Sequence, residues 1–217
     1  VLKEVSGIRS DFVSHIYLQE LLDKDDLSDA ELVKIAGYVP RELDSDHYIT
    51  EVFKDYGDLF LKNDKTTEAF LSAIRRMDSD HYVSIILKRT LREDLSSAML
   101  NKVLDAAGDM GSDHYKSGIV TDLIDRRDVD ENTIKTVIEY SGDMSDHYRS
   151  NILNKMLKNR QIGSKYFNEL LKSADDMSDH YRNNILNYLL DHEELGEEHF
   201  DTILDMVDDM SDHYSSN

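Results

Sequence analysis

Apolar residues recur along the chain at intervals of three and four, in pairs of short segments. Between Ser145 and Met177, the first segment carries Tyr148, Ile152, Leu153, Met156 and Leu157, and the second carries Phe167, Leu170, Leu171, Ala174 and Met177. This spacing places apolar side chains on one face of an α-helix. We therefore predict two helices in this stretch, here called helix A and helix B.

The same stripe recurs in neighbouring stretches of the chain. Its helix B positions are Phe200, Ile203, Leu204 and Met210 one stretch later, and Ile134, Val137, Ile138 and Met144 one stretch earlier. In the stretch that begins at Ser79, the loop is one residue shorter, and the matching residues are Leu100, Val103, Leu104 and Met110. We expect all of these side chains to lie in a core.

Every predicted helix A begins at a copy of the tetrapeptide Ser-Asp-His-Tyr. Its copies begin at Ser45, Ser79, Ser112, Ser145, Ser178 and Ser211, with a degenerate copy at Ser10. Serine is a favourable N-cap, and aspartate in the first turn interacts well with the helix dipole. We predict that Ser caps the helix, that His bonds a neighbouring repeat's turn, and that Tyr fills the core between repeats. We take two adjacent copies as representatives of this structural motif; their residues are Ser145, Asp146, His147, Tyr148, Ser178, Asp179, His180 and Tyr181.

Polar residues predict where the helices are interrupted. Residues 158–161 are expected to form the loop between helix A and helix B, with Gly163 and Ser164 starting helix B. Earlier in the chain, Ser28 and Glu31 have the spacing of a capping box.

Successive copies of the tetrapeptide begin 33 or 34 residues apart. A repeat of this length is typical of solenoids, in which the core is complete only when neighbouring repeats stack. We predict an all-α, right-handed α-solenoid of two-helix repeats, a HEAT/armadillo-like superhelix, over residues 1–217. The expected repeats are 1–9 (partial), 10–44, 45–78, 79–111, 112–144, 145–177, 178–210 and 211–217 (partial). Because no polar capping repeat is recognisable, we expect the sequence to be a segment of a longer protein.

The motif and the Ile-Leu pairs that follow it, such as Ile152-Leu153 and Ile185-Leu186, resemble HEAT-like α-helical repeats. In particular, they resemble the 33-residue Ser-Asp-x-Tyr repeats of bacterial proteins, including some membrane-bound sensor-peptidase relatives. This resemblance implies an α-solenoid with a scaffold or sensor role and no catalytic residues. Together with the absence of cysteine, it favours an extracytoplasmic bacterial setting.

The strongly negative net charge of the chain disfavours two classes of partner. The chain has 45 acidic and 25 basic residues and a net charge of −20, which disfavours sequence-independent binding to nucleic acid or anionic lipid. No apolar run reaches the roughly 18 residues that a membrane span needs, so we expect no direct membrane insertion.

Three patterns resemble catalytic or metal sites. Packed helices lie roughly 8–10 Å apart, whereas imidazoles that share a zinc ion need nitrogens within about 4 Å, so the repeated histidines should not chelate together. As an alternative to a structural role, they could form a pH sensor. The acidic stretch 128–132 imitates an EF-hand loop but runs into a helix B stripe, and the stretch 192–199 is expected to be a charged loop. We predict no catalytic residue, metal site or cofactor.

Surface charge differs sharply between two adjacent repeats. Residues 145–177 carry six basic and four acidic side chains, whereas residues 178–210 carry one basic and ten acidic side chains. The candidate interaction surface comprises Lys165, Asn168, Glu169, Lys172, Glu198, Asp201, Thr202 and Asp205. We expect a non-catalytic scaffold whose helix-B-lined face binds a protein or peptide, with basic partners favoured by the acidic repeat. The alternative is a structural spacer, stalk or sensor ectodomain that links other domains and has no ligand of its own.

Overall fold

The structure is a computed structural model that describes residues 7–24, 26–126, 128–192, 197–208 and 210. For residues 160, 191, 192 and 197–199 it describes the backbone alone. Helices are the only regular secondary structure in these ranges, which confirms the all-α prediction.

The chain divides into two compact halves, residues 1–122 and 123–217. The N-terminal half contains α1 (Asp11–Leu22), α2 (Asp29–Glu42), α3 (Asp46–Phe60), α4 (Asp64–Ile74), α5 (Asp80–Thr90) and α6 (Ser97–Gly108). The division falls inside α7 (Asp113–Ile124). The C-terminal half continues with α8 (Glu131–Gly142), α9 (Asp146–Lys158), α10 (Arg160–Lys165), α11 (Phe167–Ala174), α12 (Asp179–His192) and α13 (Glu197–Asp208).

Helices pack against the next-but-one helix within each half. In the N-terminal half, α1 packs on α3 and α3 on α5, while α2 packs on α4 and α4 on α6. In the C-terminal half, α9 packs on α12, α8 on α11 and α11 on α13. Helix A therefore meets helix A of the next repeat, and helix B meets helix B. This is the packing of a solenoid-like helical repeat.

The apolar stripes predicted for residues 145–177 form a core. On α9, Ile152, Leu153 and Met156 are completely buried, and on α11, Leu170 and Leu171 are at most 1% exposed. The capping box before α2 is also present, because the Glu31 carboxylate accepts hydrogen bonds from the N–H and the hydroxyl of Ser28 at 2.9 and 2.6 Å.

Two of the predicted core positions on α13 are wrong. Phe200 is 49% exposed and Leu204 is 56% exposed, whereas their counterparts on α11, Phe167 and Leu171, are 5% and 0% exposed. The difference follows from the neighbours. Helix α13 packs against α11, but within the described residues no further helix B packs on the other side of α13.

Helix B of residues 145–177 begins earlier than predicted and is broken in two. The side chain of Asn159 accepts hydrogen bonds from the backbone N–H groups of Gln161 and Ile162, so it starts α10 directly after α9. Tyr166 separates α10 from α11. Gly163, predicted to start helix B, lies inside α10. A Cβ atom at this position would lie 2.6 Å from the Leu157 carbonyl oxygen. Glycine thus permits the close approach of α10 to α9.

Candidate interaction surfaces

The motif aspartate bonds to the next repeat. Its carboxylate accepts a hydrogen bond from the backbone N–H of the following motif serine in four pairs: Asp11 with Ser45 at 2.7 Å, Asp46 with Ser79 at 2.7 Å, Asp80 with Ser112 at 2.8 Å, and Asp146 with Ser178 at 2.9 Å. The bond between repeats was predicted for His, whereas in these four pairs the hydrogen bond is made by Asp. The donor is an N–H at the start of a helix, which has no carbonyl partner inside that helix and needs an acceptor from elsewhere.

The motif serines do not act as predicted either. Ser45 and Ser79 occupy the N-cap position with extended backbone, yet their side chains make no capping hydrogen bond. At the boundary before α12, the Ser178 hydroxyl donates to the Asp146 carboxylate at 2.7 Å, beside the bond from its own N–H. These bonds from Ser178 lower the pKa of the Asp146 carboxyl group. Motif Asp thus joins one repeat to the next.

In the motif copies from Ser45 to Ser178, the histidines are exposed and the tyrosines beside them are half-buried. His47 contacts Tyr48 of its own repeat with a centroid distance of 5.1 Å and Tyr82 of the next repeat at 6.1 Å. In the C-terminal half, His147 contacts Tyr181 of the next repeat at 6.4 Å. The half-buried tyrosine rings therefore lie at the boundary between repeats, with the exposed histidines beside them.

The structure brings most of the predicted interaction surface together. Asn168, Glu169 and Lys172 are exposed on α11. Asp201 and Asp205 are exposed on α13, where Thr202 is half-buried, and α13 packs against α11. Glu198 belongs to α13, but its side chain lies outside the described residues. That this surface binds a partner stays a prediction.

Lys165 differs from the other members of that set. It lies at the end of α10, and its Nζ is 2.8 Å from a Glu131 carboxylate oxygen on α8. Lys135 lies 3.0 Å from the same carboxylate. The hydrogen bonds from Lys165 and Lys135 lower the pKa of Glu131 to about 2. The positive charge of Lys165 is therefore balanced by α8 instead of standing beside Asn168 and Glu169 on one helix.

Two exposed apolar side chains adjoin the acidic residues of α13, and the sequence pattern did not indicate them. Phe200 and Leu204 directly precede Asp201 and Asp205 in the chain. Positions four residues apart lie above one another on a helix, so the apolar and acidic pairs form two adjacent rows. Together with Thr202, these four residues are here called the α13 face.

A pair of buried arginines was also missed. Arg149 on α9 and Arg182 on α12 each follow the motif tyrosine and are 7% exposed. The Arg149 guanidinium lies 2.7 Å from Asp176, and that of Arg182 lies 3.7 Å from Asp175. Asp175 and Asp176, which are adjacent in one turn, thus form ion pairs with arginines from two successive repeats. The only sequence signal was a cation at a position that holds Ile49 or Val83 in other repeats.

The N-terminal half has a shallow cleft of 400 Å³ beside the turn between α1 and α2. It is lined by Tyr56, whose hydroxyl donates to the Asp23 carboxylate at 2.7 Å. Partial burial and this hydrogen bond raise the pKa of Tyr56 to about 12. The hydroxyl is therefore a stable donor at neutral pH and not a source of a phenolate.

Of the stretches that resembled metal sites, residues 128–132 lead into α8, and residues 192–199 lie partly outside the described residues. Asp130 caps α8 by accepting from the Thr133 N–H at 2.8 Å, which agrees with the prediction that the EF-hand-like stretch runs into helix B. No cluster of three potential metal ligands occurs among the described residues. The side chains of His192 and His199, and all of residues 211–217, lie outside them.

None of the described helices combines the length and apolar character needed to cross a membrane. Comparisons with protein-family models, with curated proteins and with solved structures find no match to this chain.

Proposed function

We propose that the protein is a non-catalytic scaffold that binds a protein or peptide through the exposed sides of its B helices. The observation that supports this most is the pair of exposed carboxylates on α13, Asp201 and Asp205, beside the exposed polar side chains of α11, against which α13 packs. Charged side chains on an exposed surface determine which partner can approach.

The charge of the α13 face defines the partner's chemistry. Asp201 and Asp205 lie in a repeat with ten acidic residues and one basic residue, and that single base, Arg182, is buried. A basic segment would complement these two carboxylates. The exposed Asn168, Glu169 and Lys172 of α11 extend this surface to the neighbouring helix.

The repeats themselves are proposed to be HEAT-like, of the Ser-Asp-x-Tyr type. The helix A to helix A and helix B to helix B packing in each half supports this assignment. In such arrays each repeat packs on its neighbours through the same apolar positions, so the exposed positions are free to vary and to carry recognition.

A spacer without its own ligand is the competing function, and the Asp–Ser bonds between repeats would suit it. Affinity capture from an extract of the source cells separates the two functions. The bait is the 217-residue chain, compared with an Asp201→Lys/Asp205→Lys variant and with an Asp58→Lys/Asp143→Lys control of equal charge whose sites are exposed elsewhere. A scaffold predicts an identified partner that is captured by the wild type and the control but lost from the α13 variant. A spacer predicts no protein with that pattern.

A further inference from the structure

A continuous row of aromatic and imidazole rings crosses the N-terminal half. It consists of His15, Tyr48, His47, Tyr82, His81 and Tyr115, here called the His–Tyr row. Successive ring centroids are 5.1, 5.1, 6.1, 5.1 and 5.8 Å apart. Each tyrosine is half-buried, and His47 and His81 are exposed. The row is one side chain wide and runs across the N-terminal ends of α1, α3, α5 and α7.

The spacing of the row selects among extended ligands. Helices that pack side by side repeat at roughly 8–10 Å, and we expect the tyrosines of successive repeats to recur at the same interval. A polyproline II segment has three residues per turn and a rise of about 3.1 Å, so every third side chain faces the same way at intervals of about 9.3 Å. In a β-strand, same-face side chains recur at about 6.6 Å, which does not match the row. Successive rings of the row are inclined to one another by 34° to 60°, and proline-rich segments dock on surfaces lined by aromatic rings.

Carboxylates flank the row. Asp46 and Asp80 in the motif accept hydrogen bonds from the neutral backbone N–H groups of Ser79 and Ser112, which leave their negative charge uncompensated. Asp44 and Asp78 are exposed directly before the motif serines. The repeats of Tyr48 and Tyr82 therefore each carry two carboxylates within four residues before the tyrosine.

We propose that the His–Tyr row binds a proline-rich basic segment in the polyproline II conformation, with one turn of the ligand for each repeat. Prolines stack on the tyrosine and histidine rings, and a Lys or Arg at every third position pairs with the flanking carboxylates. This site is separate from the α13 face and does not depend on the scaffold function proposed for that face.

The test uses fluorescently labelled (Pro-Pro-Lys)4, which spans about 37 Å as a polyproline II helix, and measures its binding to the 217-residue chain by anisotropy. The proposal predicts binding that is at least about tenfold tighter than for (Ala-Ala-Lys)4, which has the same charge but no proline. It also predicts binding that is much tighter than for (Pro-Pro-Glu)4. Equal binding of any two of these peptides, or no binding of (Pro-Pro-Lys)4, would overturn it.

Variants locate the site. His81→Ala and Asp78→Lys change exposed side chains and should each weaken (Pro-Pro-Lys)4 binding several-fold. Tyr82→Phe should keep it, because the ring remains, whereas Tyr82→Ala should lose it. The control is Asp105→Lys, an equal charge change on the exposed side of α6. If Asp105→Lys weakens binding as much as Asp78→Lys, the peptide responds only to net charge and the proposed site is wrong.

Discussion

The backbone N–H of Ser79 donates to the carboxylate of Asp46 at 2.7 Å, across the boundary between two repeats. The acceptor is charged and the donor is an N–H at the start of α5 with no partner inside that helix. The Asp46→Ala substitution should therefore lower the free energy of unfolding by about 1.5–3 kcal/mol. Urea unfolding monitored by circular dichroism checks this. The control is Asp58→Ala, at an exposed site on the same helix, which should change the free energy by no more than about 0.5 kcal/mol.

The equivalent bond at Asp146 should make stability depend on pH. Its pKa is lowered in the folded protein, because Ser178 donates to the carboxylate through its N–H and its hydroxyl. The contribution is thus complete above the ordinary aspartate pKa of about 3.9 and is lost as the pH falls through the lowered value. The stability difference between wild type and Asp146→Asn should be constant from pH 7 to 5 and shrink below about pH 4. A difference that grows on acidification would show that the bond does not favour the charged carboxylate.

Removal of Asp176 and removal of Arg149 should lower the stability of the protein by different amounts. Arg149 is 7% exposed, while the Asp176 side chain is 75% exposed. Removing the acid leaves a buried cation without its counter-ion, whereas removing the cation leaves an acid that water solvates. Asp176→Ala should therefore destabilise the protein by about 1–3 kcal/mol, and Arg149→Met by less than about 1 kcal/mol. Thermal unfolding of both variants gives the order, and the reverse order would contradict the account.

Two glycines offer a matched test of close helix packing. At Gly163, an added methyl group would meet the Leu157 carbonyl oxygen at 2.6 Å, so Gly163→Ala should destabilise the protein by about 1–3 kcal/mol. At Gly37, inside α2, an added Cβ would have no atom within 4 Å. Gly37→Ala should therefore stabilise the helix by about 0.5–1 kcal/mol. Unfolding midpoints measured side by side decide whether the two substitutions have opposite signs.

The sequence predicted the helices because two independent signals, the apolar spacing and the repeat length, agree. It did not predict which polar residue joins the repeats. Asp46 and His47 are adjacent and both polar, and only the direction of each side chain at the helix start assigns the bond to Asp46. Similarly, Asn159 and Ser164 are both good caps, and the choice between them depends on how closely α10 approaches α9 at Gly163.

The candidate surface was predictable in part for the same reason. Exposure of Asp201 and Asp205 follows from helical spacing alone and is confirmed. Exposure of Phe200 depends on what packs against α13, which no local pattern encodes. The positive charge of Lys165 is likewise balanced by Glu131, a residue 34 positions earlier in the chain, which no local pattern indicates.

The most direct test of the scaffold function is the affinity of the captured partner for three purified forms of the chain, measured by titration calorimetry. These are the wild type, Asp201→Lys/Asp205→Lys, and the Asp58→Lys/Asp143→Lys control. We expect Asp201→Lys/Asp205→Lys to weaken binding by more than about tenfold and the Asp58→Lys/Asp143→Lys control to stay within about twofold. Equal affinities for all three forms would contradict the assignment of binding to the α13 face.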